Sequence, residues 1–466
     1  MARRAVVIGG GIAGLTAAYR LSAARPAIDV MLLEAGPRLG GKIKTTPFAG
    51  VPIDEGADAF LTRVPWAIEL CKELGLDDSF IAPATGSAFI VTKGKLRPIP
   101  KKTVLGVPTS LRALAKSGVV SPMGMARAGL DLVRPDNWPG HDESVAELVA
   151  RRLGPEIAER LVDPLVSGIM ASDTQNLSAQ IVTPQLAEAT RKNRSLIRAL
   201  REQRKAAAAA TPGAPVFYSF EGGVGVLVER LVRAIPDVDV RMSTPVSQLE
   251  RTASGYTVHA GAETFDADIV VAAAPASAMA PLLREHAAEA AAELASIDYA
   301  SVALVTVAFS ADSVGHDTKG SGFLVPRGES MLMTACSWGH RKWPHWTGSD
   351  DNKLIFRIST GRFGDERALH LDDDELVESL LDELGPLLDI HGPVLEWRVS
   401  RWPNSFPQYP PGHGASVSRI EADVARTLPG VSLAGASYRG VGIPACIRSA
   451  NEAAAKAIDH LSTLPA

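Results

Sequence analysis

Gly9-Gly10-Gly11-Ile12-Ala13-Gly14 could cradle a diphosphate, and Glu34, twenty residues beyond Gly14, could hold the ribose attached to it. In such a run Gly9 permits a tight turn and Gly11 lets a pyrophosphate approach the backbone, while Gly14 allows close packing of helix on strand. The elements that must position these groups flank them. Ala5-Val6-Val7-Ile8 reads as a buried strand, Leu15–Leu21 as a helix, and Val30–Leu33 as a second strand that delivers Glu34. The start of that helix offers unpaired N–H groups and the positive end of a dipole to phosphate. Glycines alone are a weak signal. Strand, glycines, helix, second strand and acid together predict an α/β, Rossmann-like dinucleotide site.

Other chemistries find less support. The chain has 466 residues, enough for two or three domains, and a formal net charge of −4, which gives no bulk attraction to nucleic acid. Cys71, Cys336 and Cys446 are scattered and odd in number, so a reducing cytoplasm is expected rather than a disulfide framework. The ten histidines include no HExxH, and His340 and His345 have nothing nearby to complete a metal site; no metal is expected. Gly435-Ala436-Ser437-Tyr438-Arg439-Gly440 misses the spacing of a nucleophile elbow by one residue. Gly222-Gly223-Val224-Gly225 lacks a third glycine, so no second nucleotide fold is expected. The basic start at Arg3-Arg4 before an apolar stretch mimics a secretory signal, but the glycine fingerprint explains the same residues better. No apolar stretch reaches the roughly 18 residues of a membrane span, so no integral membrane association is expected.

The segment Glu34-Ala35-Gly36-Pro37-Arg38-Leu39-Gly40-Gly41-Lys42 resembles the second signature of the FAD-dependent oxidases that include monoamine oxidases, phytoene desaturases and porphyrinogen oxidases. The resemblance implies FAD, with Glu34 on the adenosine ribose and Arg38 and the glycine pair along the diphosphate. Gly36 to Lys42 also spells GxxxxGK, but Ile43 stands where a P-loop needs a hydroxyl. With one fingerprint only, an oxidase is expected in place of a nicotinamide-dependent reductase. The run Leu433–Ile447, with Gly435-Ala436-Ser437 and Val441-Gly442-Ile443 inside it, resembles the porphyrinogen oxidases of heme biosynthesis. Glu55–Leu61, Pro164–Ala171 and Arg401-Trp402-Pro403 support that resemblance along the whole chain. Within the family it most resembles the soluble Gram-positive form, which converts coproporphyrinogen III to coproporphyrin III. Protoporphyrinogen IX is the alternative substrate. A flavin amine oxidase, a carotenoid desaturase and a non-catalytic binder on the same fold stand further back.

The resemblance carries site expectations residue by residue. Lys42 with Gly56, Ala57, Asp58 and Ala59 would lie along the ribityl chain and isoalloxazine. Val246 would pair by backbone with the adenine, and Trp402 would pack near the flavin. Val441, Gly442 and Ile443 would meet its pyrimidine end, where a helix start favours negative charge. The implied reaction is a six-electron oxidation in three two-electron cycles, with oxygen as acceptor and hydrogen peroxide released. Pyrrole nitrogens already activate the substrate C–H bonds, so no catalytic acid or base is named. Arg63, Arg191 and Arg194 are the candidates for substrate propionates, because guanidinium pairs bidentately with carboxylate. The basic run Arg191–Lys205 reads equally as a solvated helix face. Met170, a further substrate candidate, stands where relatives often carry an aromatic, and Ala57 where many carry proline, two departures from the family's pattern. A downstream ferrochelatase is the implied partner. Val104–Val133 could rest on a membrane interface or pack within a helical domain.

The elements suggest three domains: an FAD-binding domain assembled from 1–80, 215–285 and 420–466, a mixed sheet and helix substrate domain from 81–100 and 286–419, and a helical insertion from 101–214. Helices are expected at Ser110–Lys116, Ser144–Leu153, Pro155–Val166, Leu186–Lys205 and Asp372–Leu388, and Ala206–Pro215 reads as a loop or junction.

Overall fold

The computed structural model describes residues 3–134, 138–210, 213–347 and 352–464, without the side chains at 208 and 210. Strand Arg3–Ile8 is buried from Ala5 onward with no polar alternation, the pattern of a parallel strand covered on both faces. It lies at the centre of a five-stranded parallel sheet ordered Asp239–Arg241, Ile28–Leu33, Arg3–Ile8, Ile269–Ala272, Val431–Leu433. Ala5 sits opposite Val30 on one side and Ile269 on the other, so the C-terminal ends of the strands line up where Gly9 and Glu34 emerge. Helices Ile12–Ser22 and Ile443–Thr463 cover one face through Leu15, Leu21, Ile447 and Ala450. The other face is covered by an antiparallel three-stranded sheet, carrying Tyr256 and Val258, and by helices including His413–Thr427.

A second, seven-stranded sheet is ordered Glu396–Pro407, Tyr299–Ser310, Lys353–Thr360, Met333–Trp338, Gly322–Leu324, Phe89–Thr92, Lys95–Pro98. Helix Asp373–Leu388 packs on it through Leu376, Leu380 and Leu384 and begins at a capping box of Asp372 and Glu375. A third core is helical. Helix Val145–Leu153 starts at the Ser144–Glu147 capping box, and residues 155–170 follow as one helical run with a π-turn at Ala158–Val162.

Two expectations fail here. The expected helix Leu186–Lys205 is two helices, Pro184–Lys192 and Leu196–Ala210. The break is held by buried Asp131, which accepts from the Ser195 hydroxyl at 2.7 Å and from the Ile197 N–H at 2.9 Å while pairing with Arg152. The alanines of 206–210, expected as a loop, continue the second helix, because alanine is the strongest helix former. Residues 211–212 of that segment lie outside the described residues.

Candidate active site

Glu34 ties the first glycine loop to its own loop. One carboxylate oxygen accepts from the Gly10 N–H at 2.6 Å and the other from the Gly36 N–H at 2.7 Å. Each oxygen keeps a further lone pair for a hydroxyl. The Thr244 N–H bonds the Glu34 carbonyl at 2.9 Å, which brings Val246 alongside; the Val246 N–H has no partner among the described residues. Helix Ile12–Ser22 has no side-chain cap, so its first N–H groups, at Ile12 and Ala13, are open to an anion. A Cβ on Gly14 would lie 1.7 Å from the Gly9 carbonyl oxygen, so only glycine lets this helix pack where it does. The two glycine loops touch. The Gly40 N–H bonds the Gly10 carbonyl at 2.8 Å, and a Cβ on Gly41 would approach the Gly11 Cα to 3.1 Å. Arg38 spends its guanidinium on the Leu39, Gly41 and Ile43 carbonyls of its own loop, and Ala35 is exposed.

The strand end at Gly435 leads to the other half of the cleft; a Cβ there would be 4.0 Å from that of Ala13. Lys42, Gly56 and Trp402 meet in one corner. Trp402 donates its indole N–H to the Glu55 carbonyl at 2.7 Å, and a Cβ on Gly56 would stand 2.5 Å from the Lys42 carbonyl and 3.4 Å from the Trp402 ring. The Lys42 ammonium donates to the Ser405 carbonyl. Surrounding protein lowers its pKa, yet the residue keeps exposed surface; both follow if Lys42 lines a recess in the protein rather than its outer face. Cys446, nearby, is buried and its thiol is pushed up to about 11. Helix Ile443–Thr463 opens here without a side-chain cap, and a Cβ on Gly442 would meet nothing, while Val441 packs toward the helical core.

Two carboxylates below this corner have opposite fates. Burial pushes Asp54 up to about 7 even though one oxygen accepts from the Thr45 hydroxyl at 2.5 Å and the Val224 N–H at 3.0 Å; its other oxygen is an orphan. Asp58 is also buried, but Arg357 (3.0 Å), Lys342 (2.8 Å) and the Trp343 indole (2.9 Å) hold it far below the usual carboxylate range. The Asp58 side chain is therefore committed to Arg357 of the large sheet and to Lys342 and Trp343 beyond it, while Ala57 is exposed and Ala59 half-buried. Sequence reasoning missed Asp54, Lys342, Trp343 and Arg357. A buried aspartate closing the apolar strand Val51–Asp54 was the one signal that could have found this cluster.

The four substrate candidates do not converge. Met170 is 3% exposed within the helical core and offers almost no surface to a substrate. Arg63 is exposed and unpaired among the described residues. Arg194 donates to the Val133 carbonyl at 3.0 Å, and Arg191 is exposed beside Trp138 and His141. Arg201, from the same run, is tied to the Thr109 carbonyl at 2.9 Å. Most of this run is solvated face and structural tether.

Comparison with known proteins decides the assignment. The pattern described as flavin containing amine oxidoreductase matches residues 12–458. The chain belongs to this family. Flavoenzymes of this kind hold FAD, and the open helix start, the free Val246 N–H and the glycine contacts fit its diphosphate and adenine; the cofactor of this protein is FAD. The chain is similar to the coproporphyrinogen III oxidase of Bacillus subtilis, at 34% identity with 98% of each chain covered. It is also similar to that of Mycobacterium leprae, at 36% identity with 96% of each covered. A solved structure from Exiguobacterium sp. 255-15, provisionally named a protoporphyrinogen oxidase, is 30% identical with a TM-score of 0.88, covering 99% of this chain and 100% of the other. The family's fold extends to cyclohexylamine oxidase of Brevibacterium oxydans, at 19% identity, a TM-score of 0.69, and coverage of 99% and 100%.

Proposed function

We propose that this flavoenzyme oxidises coproporphyrinogen III to coproporphyrin III, with oxygen as the final acceptor. The observation that carries the reading is the corner of Lys42, Gly56 and Trp402, whose Trp402 packs with the apolar group Ala171, Ala300, Val302, Phe363 and Phe406. An apolar wall beside a flavin suits a flat, partly apolar macrocycle. The curated relatives that match it at 31–36% identity over nearly their full length carry the coproporphyrinogen name. Bound FAD supplies the hydride acceptor and its reoxidation. The chain supplies placement. Glu34, Gly10, Gly11 and Gly41 hold the adenosine and diphosphate, Val246 the adenine, and Gly56 to Ala59 with Lys42 the ribityl side. The uncapped helix start at Gly442 would hold the flavin's pyrimidine end and favour negative charge there. No side chain at the corner needs to move a proton: Lys42 is engaged with Ser405, and the Cys446 thiol stays protonated at neutral pH.

We read the five-stranded sheet with the clusters on its two faces, the seven-stranded sheet with its helix, and the helical core as three domains, the first binding FAD and the other two enclosing substrate. No helix among the described residues is long and apolar enough to cross a membrane. Exposed Met123 (82%), Leu130 and Val133 beside exposed Arg112, Lys116 and Arg134 form the surface by which the protein would rest on an anionic membrane. Steady-state rates on coproporphyrinogen III and protoporphyrinogen IX, followed by porphyrin fluorescence, test the function. Preference for the first supports it; turnover of the second alone, or of neither, overturns it.

A further inference from the structure

Beside the apolar corner, two arginines carry more positive charge than their neighbours neutralise. Arg362 is 6% exposed, and its ionic contact with Asp365 is 3.8 Å from Nε, beyond hydrogen-bond reach. That Nε is buried without a partner, while its two terminal nitrogens hold no hydrogen bond among the described residues and are not sealed from solvent. Asp365 is already engaged by Arg367, at 2.9 Å through both oxygens. Arg327 gives one terminal nitrogen to the Ser172 and Phe363 carbonyls, at 2.9 and 3.2 Å, and its Nε is also an orphan. Asp163, close to Arg327, is spent on the Thr174 N–H and hydroxyl, at 3.2 and 2.8 Å, and burial raises its pKa. A buried cation without a partner is costly, and a carboxylate arriving from outside would relieve that cost.

The place fits such an arrival. Arg362 directly precedes Phe363, whose N–H bonds the Ala171 carbonyl at 2.8 Å. Phe363 and Trp402 pack on Ala171, Ala300 and Val302, and Trp402 borders Gly56 in the cofactor corner. A macrocycle lying along Phe363 and Trp402 brings a carboxylate on its rim to the open nitrogens of Arg362. We propose that Arg362, backed by Arg327, binds a propionate of the porphyrinogen and so selects a substrate rich in carboxylates. The proposal rests on the porphyrinogen reading of the same cleft.

Equilibrium binding of coproporphyrin III and of its tetramethyl ester to the FAD-loaded protein, read by fluorescence quenching, tests it. Arg362→Met keeps the apolar stem and removes the charge. It is expected to weaken coproporphyrin III about tenfold, the size of one charge-assisted bond, and to leave the ester within about twofold. Arg362→Lys should recover part of the loss, and the KM for coproporphyrinogen III should rise with the dissociation constant. Unchanged binding of the acid by Arg362→Met, or equal losses for acid and ester, overturns the proposal. Should that variant not fold, the wild type decides: tighter binding of the acid than of the ester supports the site, and equal binding overturns it. Oxidation of coproporphyrinogen III by a wild type whose KM ignores Arg362 leaves the functional reading standing without this site. Arg362-dependent binding without oxidation does the reverse.

Discussion

At the glycine loops, the Gly10, Gly36 and Gly40 N–H groups make contacts of 2.6–2.8 Å with residues that lie within about thirty positions of them. At the opposite wall, Asp58 is clasped by Lys342 and Trp343, 284 and 285 positions away, and by Arg357. The first region is built from backbone N–H groups gathered around one carboxylate, and the second from charged side chains that meet across the chain. Local spacing fixes the cradle, since a turn, a helix and two neighbouring strands suffice. The wall exists only once the seven-stranded sheet has closed its long-range pairings, such as Val302 with Trp402. The contrast repeats within the wall: Asp58 is kept charged by three donors, whereas Asp54, four residues earlier, has no cation bonded to its carboxyl among the described residues.

The largest expected effect is on the cradle. Gly14→Val forces a backbone clash deeper than ordinary overpacking, which already costs ~1–3 kcal/mol, so the flavin-to-protein absorbance ratio should fall at least about tenfold. Retained flavin would mean that helix and strand are not packed as described. Asp58→Asn takes the carboxylate from buried Arg357 and half-buried Lys342 and should lower unfolding stability by about 3 kcal/mol in urea, with flavin content falling less than in Gly14→Val. Asp54 behaves oppositely with pH. Its folded pKa of about 7 stands above the unfolded value, so between about pH 4 and 7 the folded state keeps a proton that the unfolded state has lost. Its contribution to stability therefore diminishes as pH rises through that window. Asp54→Asn should gain roughly 3 kcal/mol on the wild type between pH 5 and pH 8, and parallel pH profiles would place the carboxyl elsewhere. The smallest effect belongs to Arg191→Ala, on an exposed side chain away from the corner. The KM for coproporphyrinogen III should change less than about twofold, within the ±0.5 kcal/mol usual for surface substitutions.

This contrast also explains what the chain discloses before it folds. Strand, glycines, helix, second strand and Glu34 were readable because their chemistry is carried by neighbours in sequence, and all appear within a few residues of the expected limits. Lys42, Gly56 and Trp402 came from family resemblance, and the structure brings them into one corner. The break at Asn193–Ser195 was invisible because it is imposed by Asp131, more than sixty positions upstream. The basic run drew attention to Arg191 and Arg194 because clustered charge is conspicuous in a sequence. Arg327 and Arg362 were overlooked because neither lies in a dense basic run and each gains meaning only through what surrounds its buried Nε.

Mixing the purified, flavin-loaded protein with coproporphyrinogen III without oxygen, while following the flavin absorbance, tests the central claim most directly. The account predicts bleaching within the enzyme's turnover time, appearance of coproporphyrin fluorescence, and return of the flavin band when oxygen is admitted. A flavin that stays oxidised with coproporphyrinogen III but bleaches with a primary amine would contradict it.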